Sequence, residues 1–365
     1  MTSIRTQAET HLPAQPSEKR PFLRDAWYAA GFASELSGGA LVGRRILDDP
    51  ILLYRDEDGT AVAIGDRCPH RFAPLHKGRL ESGIVRCGYH GLGFDRTGHC
   101  VLNPHGSLAA TSTLSVPTYR LVEHGELLWI WMGTPDTADE ALLPRYDSLD
   151  PQRFFMGTGY LHGNAHYELM SDNILDLSHI EFLHPALGTD AVSRAKVEVA
   201  SNGDSVVTTR RMIGEVLPPR LAHVYQSGDT VVNRTMQVTW QAPANMLLTV
   251  TIEPTDGSGE WVRGSSTLHL FTPETQHSTH YFYVASMLRD SATQELTTAF
   301  LDALGRAFVS EDKAMIDAQQ AMLGDDDIMD LRPGLLAIDK AAVLARRTLD
   351  RLVAAQAGKV GASTA

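Results

Sequence analysis

Two cysteines and two histidines in two short segments constrain this chain more than any other feature. The segments read Cys-Pro-His-Arg at 68–71 and Cys-Gly-Tyr-His at 87–90. Two thiolates and two imidazoles can hold a binuclear iron–sulfur centre, in which the cysteines bind one iron and the histidines bind the other. The candidate cluster ligands are Cys68, His70, Cys87 and His90. Neutral imidazole makes such a cluster accept an electron more easily than an all-cysteine cluster, so these segments are predicted to relay electrons.

The same four side chains could instead hold zinc, which also accepts two cysteines and two histidines as ligands. One Cys-x-His pair and one Cys-x-x-His pair do not match the common spacing of zinc fingers. On these residues alone, a zinc-stabilised binding module stays open as an alternative to an electron-transfer protein. An absorption spectrum separates the two readings, because zinc sites are colourless.

Composition limits the classes of function. A chain of 365 residues is long enough for one large domain or two medium ones. Its net charge of −12 argues against a nucleic-acid-binding protein. Of three cysteines, two belong to the cluster motif, so no disulfide framework is expected and the predicted compartment is the reducing cytoplasm. No run approaches the roughly 20 apolar residues of a membrane helix.

The pattern along the chain predicts an α+β protein of two domains. After a polar tail at 1–21, predicted to be flexible, short strands indicate an all-β iron–sulfur domain over 22–140, with a hairpin turn at Asp58-Gly59. These strands are expected near 46–47, 51–54, 61–64, 84–86, 92–94, 113–116 and 127–132. Residues 141–356 are predicted to form a catalytic domain, in which an antiparallel sheet is flanked by helices in a helix-grip-like arrangement. A second flexible tail is expected at 357–365.

In this second domain, strands are expected at about 194–200, 204–213, 230–240, 246–253, 262–271 and 278–287. Helices are expected at about 167–180, 293–320 and 338–356. Leu304, Phe308, Met315 and Ile316 are predicted to share one face of the second of these helices.

A second candidate metal site lies on the helix predicted at 167–180. Asn173, Asp176 and His179 follow one another at steps of three, and His184 comes shortly afterwards. Two histidines so close can converge on one ion. The third ligand predicted is Asp312, one turn beyond Phe308, where an unpaired acid would be costly.

Two histidines and one carboxylate form the facial triad of non-haem Fe(II) oxygenases, which leaves positions open for O₂. Asp176 need not bind iron in this arrangement. Its carboxylate can accept the free N–H of His179, or it can reach a cluster histidine and bridge the two centres.

Together the motifs resemble the Rieske non-haem iron oxygenases, and most closely the terminal oxygenase components of the vanillate and dicamba O-demethylase group. The likeness runs from Trp27 to about Gln356, and it includes the stretches 68–75, 85–92, 169–179 and 311–313. It implies a [2Fe-2S] Rieske cluster, a mononuclear Fe(II) held by His179, His184 and Asp312, and Asn173 close to that iron. It further implies a head-to-tail homotrimer in which Asp176 bridges to the cluster of a neighbouring subunit. Electrons would come from NADH through a flavin and ferredoxin-type reductase.

Departures from the resemblance concern the substrate. Dicamba-type enzymes hold a substrate carboxylate with Asn, His and Trp. By local alignment His269 matches that histidine, whereas the asparagine position falls on Leu248 and the tryptophan position near Ala303. The clamp is at most partly present, so a more apolar or bulkier aromatic substrate is expected.

The function predicted is that of a monooxygenase component that hydroxylates a small aromatic substrate, leading to oxidative O-demethylation. N-dealkylation and hydroxylation of a ring or side chain are the alternatives within the class, because kinship does not fix the reaction. A protein of another class, a Rieske electron carrier without oxygenase activity, would have no iron beyond the cluster. The set His179, His184 and Asp312 argues against it.

Overall fold

The N-terminal half forms two antiparallel sheets, in a computed structural model that describes residues 20–255 and 261–363. The larger sheet has the strand order β1-β10-β9-β4-β3-β2 and the smaller one the order β5-β6-β7-β8. The ten strands are β1 (Trp27–Phe32), β2 (Val42–Ile46), β3 (Asp49–Arg55), β4 (Ala61–Gly65), β5 (Arg79–Glu81), β6 (Ile84–Arg86), β7 (Gly93–Phe94), β8 (Cys100–Leu102), β9 (Thr118–His124) and β10 (Leu127–Trp131). Residues 1–19, most of the tail predicted at 1–21, lie outside the described residues.

The hairpin predicted at Asp58-Gly59 is confirmed. Gly59 has a φ of 85°, a left-handed conformation that glycine adopts without strain, and the turn joins β3 to β4. Of the strand predicted at 113–116, the structure shows only an isolated β-bridge between Ser115 and His99. The amide of Leu114 donates to the carbonyl of Thr111 in a turn, and Pro117 has no N–H with which to extend a ladder. The strand β9 begins only after this proline.

The C-terminal half contains one antiparallel sheet of seven strands, in the order β11-β17-β16-β15-β14-β13-β12. Its strands are β11 (Phe154–Gly163), β12 (Lys196–Asn202), β13 (Ser205–Glu215), β14 (Val232–Gln241), β15 (Asn245–Pro254), β16 (Arg263–Thr275) and β17 (Ser278–Leu288). The helices are α1 (Tyr167–Leu175), α2 (Ile180–Leu183), α3 (Ala191–Arg194), α4 (Pro219–Val224), α5 (Gln294–Arg306), α6 (Lys313–Leu323) and α7 (Lys340–Ser363). The predicted sheet with flanking helices is therefore confirmed.

Two of the predicted helices are interrupted at the candidate iron site. The helix expected over 167–180 breaks at Asp176, whose backbone is extended and whose carboxylate accepts a hydrogen bond from the amide of Ser178. A short aspartate side chain competes in this way with helical hydrogen bonds. The helix expected over 293–320 contains a π-helical turn, Ala307–Asp312, between α5 and α6.

The π turn also explains a wrong expectation about the buried face of that helix. Leu304, Phe308 and Ile316 are buried as predicted, but Met315 is 57% exposed. A π turn contains more residues than an α turn, so it rotates the following side chains relative to the preceding ones. The last helix, α7, continues to Ser363, beyond its predicted end at residue 356.

The two halves pack directly on one another. The Thr272 hydroxyl of β16 donates to the carbonyl of Ala29 on β1 at 2.7 Å. His280 of β17 bonds through Nε2 to the carbonyl of Arg45 on β2 at 2.9 Å. Trp129 of β10 shares a buried apolar cluster with residues of β16 and β17. Among the described residues, no helix has the length and apolar character needed to span a membrane.

Candidate metal centres

The two loops that carry the cluster motif have the same backbone hydrogen bonding. One follows β4 and the other joins β6 to β7. The closing bonds are Cys68 N to Ala73 O (2.9 Å), Phe72 N to Cys68 O (2.8 Å), Cys87 N to Leu92 O (2.8 Å) and Gly91 N to Cys87 O (2.9 Å). Phe72 and Gly91 occupy equivalent positions, and both have positive φ, 57° and 74°. The two loops therefore present their cysteines and histidines in matching ways.

Burial separates the two kinds of side chain in these loops. Cys68 and Cys87 are each 2% exposed and form no disulfide. Burial raises the pKa of Cys68 to about 11, so a thiolate there needs a bound cation to stabilise it. His70 is exposed and His90 half-buried, and their ring centroids lie 4.6 Å apart. Two buried thiols beside two paired imidazoles fit a Rieske [2Fe-2S] cluster.

The three predicted iron ligands come together in the C-terminal half. One ligand atom from each of His179, His184 and Asp312 lies within 4.8 Å of the others. The Oδ1 atom of Asp312 is 3.0 Å from Nε2 of His184 and 3.5 Å from Nε2 of His179. His184 and Asp312 are buried. Two imidazoles and one buried carboxylate fit the facial triad of a mononuclear Fe(II) site.

Hydrogen bonds orient both imidazoles toward this point. Nδ1 of His179 donates to the backbone carbonyl of Asp176 at 2.7 Å, and Nδ1 of His184 to the carboxylate of Glu311 at 2.5 Å. Because each Nδ1 donates in this way, Nε2 is the ring atom that would bind a metal ion beside Asp312. Burial lowers the pKa of His179. Burial has the same tendency at His184, but bonds to Asp312 and Glu311 outweigh it and raise that pKa.

The carboxylate of Asp176 does not accept the N–H of His179, which was one of its two predicted roles. Its backbone carbonyl, and not its carboxylate, accepts the proton of His179. The carboxylate instead accepts from the amide and hydroxyl of Ser178 and from Arg210. It remains 19% exposed. Asn173 contacts one of the predicted iron ligands, since its Nδ2 donates to Oδ1 of Asp312 at 3.0 Å.

Sequence reasoning missed two residues of this centre. Glu311 directly precedes Asp312 in the chain, so its closeness to the predicted iron site could have been inferred from the choice of Asp312. Arg210 lies on β13, far from the iron motif in sequence, and no local pattern distinguishes it from other strand arginines.

The proposed pocket residues occupy different places around the sheet and helices. His269 is fully buried, bonds through Nδ1 to the Tyr281 hydroxyl at 2.6 Å, and has a pKa lowered by burial to about 3. Its Nε2 has no hydrogen-bond partner among the described residues. Leu248 is on the same sheet face, because Met246 pairs with His269 and side chains two apart share a face. Ala303 is buried on α5.

A small, mostly apolar cavity of about 20 Å³ adjoins Asp312. It is lined by Leu161, Met170, Asn173, Ile174, Phe271, Tyr281, Phe308, Asp312, Lys313 and Ile316. Among the described residues that line this cavity, His269, Leu248 and Ala303 do not occur. Tyr281, which does line it, is hydrogen-bonded to His269.

Comparisons with known proteins match both halves of the chain. A family model for the Rieske [2Fe-2S] domain matches residues 26–119, and one for the vanillate O-demethylase oxygenase C-terminal domain matches residues 163–355. The dicamba O-demethylase oxygenase component of Stenotrophomonas maltophilia is 36% identical over 91% of this chain and 98% of its own length. The chloroacetanilide N-alkylformylase oxygenase component of Rhizorhabdus wittichii is 34% identical, over 92% and 97%.

Solved structures give the same result. The crystal structure of dicamba monooxygenase bound to 3,6-dichlorosalicylic acid has a TM-score of 0.85 at 35% identity, with 93% of this chain and 99% of that chain covered. The resemblance seen in the motifs is therefore confirmed. This chain belongs to the Rieske non-haem iron oxygenases, in the family of the vanillate and dicamba O-demethylase oxygenase components.

Proposed function

We propose that this protein oxidatively demethylates a small aromatic methyl ether, with O₂ as co-substrate. A separate flavin and ferredoxin-type reductase delivers the electrons from NADH. The observation that carries the proposal is the convergence of Nε2 of His179 and Nε2 of His184 on Oδ1 of Asp312. This donor set suits Fe(II) chemistry with O₂, and the buried thiols of the N-terminal half suit an electron relay.

When bound, the [2Fe-2S] cluster supplies single electrons and Fe(II) activates O₂. The protein's own groups orient the two imidazole ligands and keep water away from the site. His179 and His184 keep their Nδ1 protons and donate them to the Asp176 carbonyl and the Glu311 carboxylate, so both rings keep one orientation. Leu161, Phe271 and Phe308 line the cavity beside Asp312 and exclude water from it.

The reaction proposed inserts one oxygen atom of O₂ into a C–H bond of the methoxy group. The other atom leaves as water after two electrons and two protons are added. The hydroxylated product is a hemiacetal. Its bond between the former methyl carbon and the ether oxygen breaks, and the ether oxygen stays on the ring. Formaldehyde and the phenol are the products. The proton lost from the hemiacetal hydroxyl is balanced by the one that the phenol oxygen takes up.

Electron delivery is proposed to cross between subunits of a head-to-tail homotrimer. Asp176 supports this, because its carboxylate is partly exposed while its backbone holds His179. Arg210 and Ser178 fix the carboxylate in place. A cluster histidine of the next subunit that donates to it would connect the two iron centres through one residue.

The substrate proposed lacks a ring carboxylate. Leu248 and Ala303 offer no hydrogen bond to an anion, and burial keeps His269 neutral. Nε2 of His269 has no partner among the described residues, which favours a substrate with one neutral polar group at that point. The rest of the substrate would contact apolar and aromatic side chains.

N-dealkylation is the second candidate, and the name of one relative favours it. Leu248 and Ala303 replace polar or bulky residues of the dicamba-type clamp, and a relative 34% identical is named an N-alkylformylase. Hydroxylation of a carbon bonded to nitrogen gives a carbinolamine, which loses an aldehyde in the same way. The protein groups described above would act identically.

The test is product analysis with the purified protein, NADH, O₂, a Rieske-system reductase and matched aromatic substrates. The panel pairs each methoxy compound with its N-alkyl analogue and with its ring-carboxylated form. NADH-dependent formaldehyde and phenol, formed in equal amounts from the uncarboxylated ethers, are expected. His179→Ala should keep the visible absorption of the cluster and lose all product. An absence of product from every methoxy compound overturns O-demethylation, and aldehyde from N-alkyl compounds alone establishes the second candidate.

A further inference from the structure

We infer that Glu311 is a positioning residue that holds the His184 imidazole for the iron and strengthens it as a ligand. The inference rests on the proposed iron site. It concerns a carboxylate outside the ligand set, on the side of His184 that faces away from Asp312.

The π-helical turn places two successive carboxylates on one imidazole. Oε2 of Glu311 is 2.5 Å from Nδ1 of His184, and Oδ1 of Asp312 is 3.0 Å from Nε2 of the same ring. Successive side chains of an α-helix point about 100° apart around the axis, so they do not normally meet on one small ring. Both residues belong to the turn Ala307–Asp312, where the helix is widened.

The two histidines differ in what anchors them. Nδ1 of His179 donates to a neutral backbone carbonyl at 2.7 Å, whereas Nδ1 of His184 donates to an anionic carboxylate at 2.5 Å. Hydrogen bonds to ionised acceptors are stronger, and they increase the electron density of the ring. His184 is therefore the more strongly donating of the two imidazoles toward a metal cation.

Exposure shows why one substitution at Glu311 should suffice to reveal this role. The side chain of His184 is 3% exposed, so water has little access to Nδ1 if its partner is removed. The side chain of Glu311 is 38% exposed, which makes its replacement tolerable for folding. Loss of the carboxylate leaves a buried N–H without an acceptor and frees the ring to rotate away from Asp312.

The experiment compares Fe(II) affinity, measured anaerobically by competition with a chromogenic chelator, in the cluster-containing protein. Glu311→Ala should bind Fe(II) about 10- to 100-fold more weakly than the unaltered protein. Glu311→Gln, which keeps an acceptor but not the charge, should recover part of this loss. Glu57→Gln, at an exposed turn of the N-terminal half, is the matched control and should not change affinity. Visible absorption of the cluster should be the same in all four proteins.

Fe(II) affinity of Glu311→Ala within about twofold of the unaltered protein would overturn the inference and leave the iron site intact. If the unaltered protein itself binds no Fe(II) beside the cluster, the proposed iron site fails instead. Glu311→Gln keeps the shape of the side chain, so it serves as the test if the alanine variant does not fold.

Discussion

Arg210 donates a hydrogen bond from its guanidinium to Oδ1 of Asp176 at 3.1 Å. The contact joins strand β13 to the break between α1 and α2. The side chain of Arg210 is 6% exposed and also donates to the carbonyl of Val192, so it is fixed independently of Asp176. The carboxylate that is proposed to bridge two subunits is thus oriented within its own chain.

Asp176→Asn is expected to retain both metals and to slow electron delivery by about 10- to 100-fold, because an amide is a weaker acceptor than a carboxylate. The measurement is the single-turnover rate at which the reduced cluster is oxidised in the presence of O₂ and substrate. Asp190→Asn is a control, since Asp190 is an exposed acid that pairs with Arg194. An unchanged rate in Asp176→Asn would remove the bridging role.

Arg346→Met should lower the free energy of unfolding by roughly 3–5 kcal/mol, because it removes the cation that pairs with Asp172 and one of the two that pair with buried Glu168, whose other partner is Arg20. Arg346 of α7 bonds to Glu168 at 2.9 Å and to Asp172 at 2.6 Å, both on α1. Burial raises the pKa of Glu168 to about 7 even with this partner present. Urea denaturation measures the change. Arg347→Met, an exposed neighbour on the same helix, should have little effect, and equal losses in the two variants would contradict the prediction.

Acid should destabilise the protein partly through His280, which links the two halves. Burial lowers the pKa of His280 to about 4, below the usual 6.5. As pH falls from 6.5 to 4, the unfolded chain takes up a proton there that the folded protein does not, so stability decreases, by about 1.4 kcal/mol per unit of difference in pKa. Above pH 6.5 this contribution is constant.

His280→Gln should therefore lose less stability than the unaltered protein between pH 6.5 and pH 4, although it is less stable at pH 7. Unfolding free energies from urea titrations at several pH values give the two slopes. Parallel curves over this interval would show that His280 titrates normally in the folded state.

Leu248→Asn combined with Ala303→Trp should shift specificity toward ring-carboxylated methoxy aromatics. The two changes introduce the Asn and Trp of the dicamba-type carboxylate clamp at the positions that align with them, and one hydrogen bond to a charged group contributes about 1.5–3 kcal/mol. The kcat/KM ratio for carboxylated over uncarboxylated substrate is expected to rise by about tenfold or more. Leu247→Asn, on the opposite sheet face, is the control. An unchanged ratio in the double variant would place the substrate elsewhere.

The two metal motifs could be recognised from sequence because their chemistry is local. Cys68 and His70, or His179 and His184, are so close in the chain that almost any compact fold brings each pair together. Asp312 is distant in the chain and was chosen because an acid between buried Phe308 and Ile316 would be costly unless it were bound, and the structure places it beside His179 and His184.

The features that sequence did not reveal depend on tertiary contacts. The break at Asp176 requires Ser178 and Arg210 as partners for its carboxylate, and Arg210 comes from a distant strand. The π turn before α6 has no sequence pattern of its own, so the exposure of Met315 could not be foreseen. β11 was also missed, since glycines at 157, 159 and 163 weaken its strand pattern.

A molecule that touches the rim formed by His70 and His90 does not reach the sulfur atoms of the two loops, because Cys68 and Cys87 lie beneath the surface. A small thiol-modifying reagent that approaches from this side contacts the imidazole rings of His70 and His90 before the sulfur atoms of Cys68 and Cys87. The two loops thus keep the atoms that are most easily damaged by oxidation away from the exposed imidazole rim.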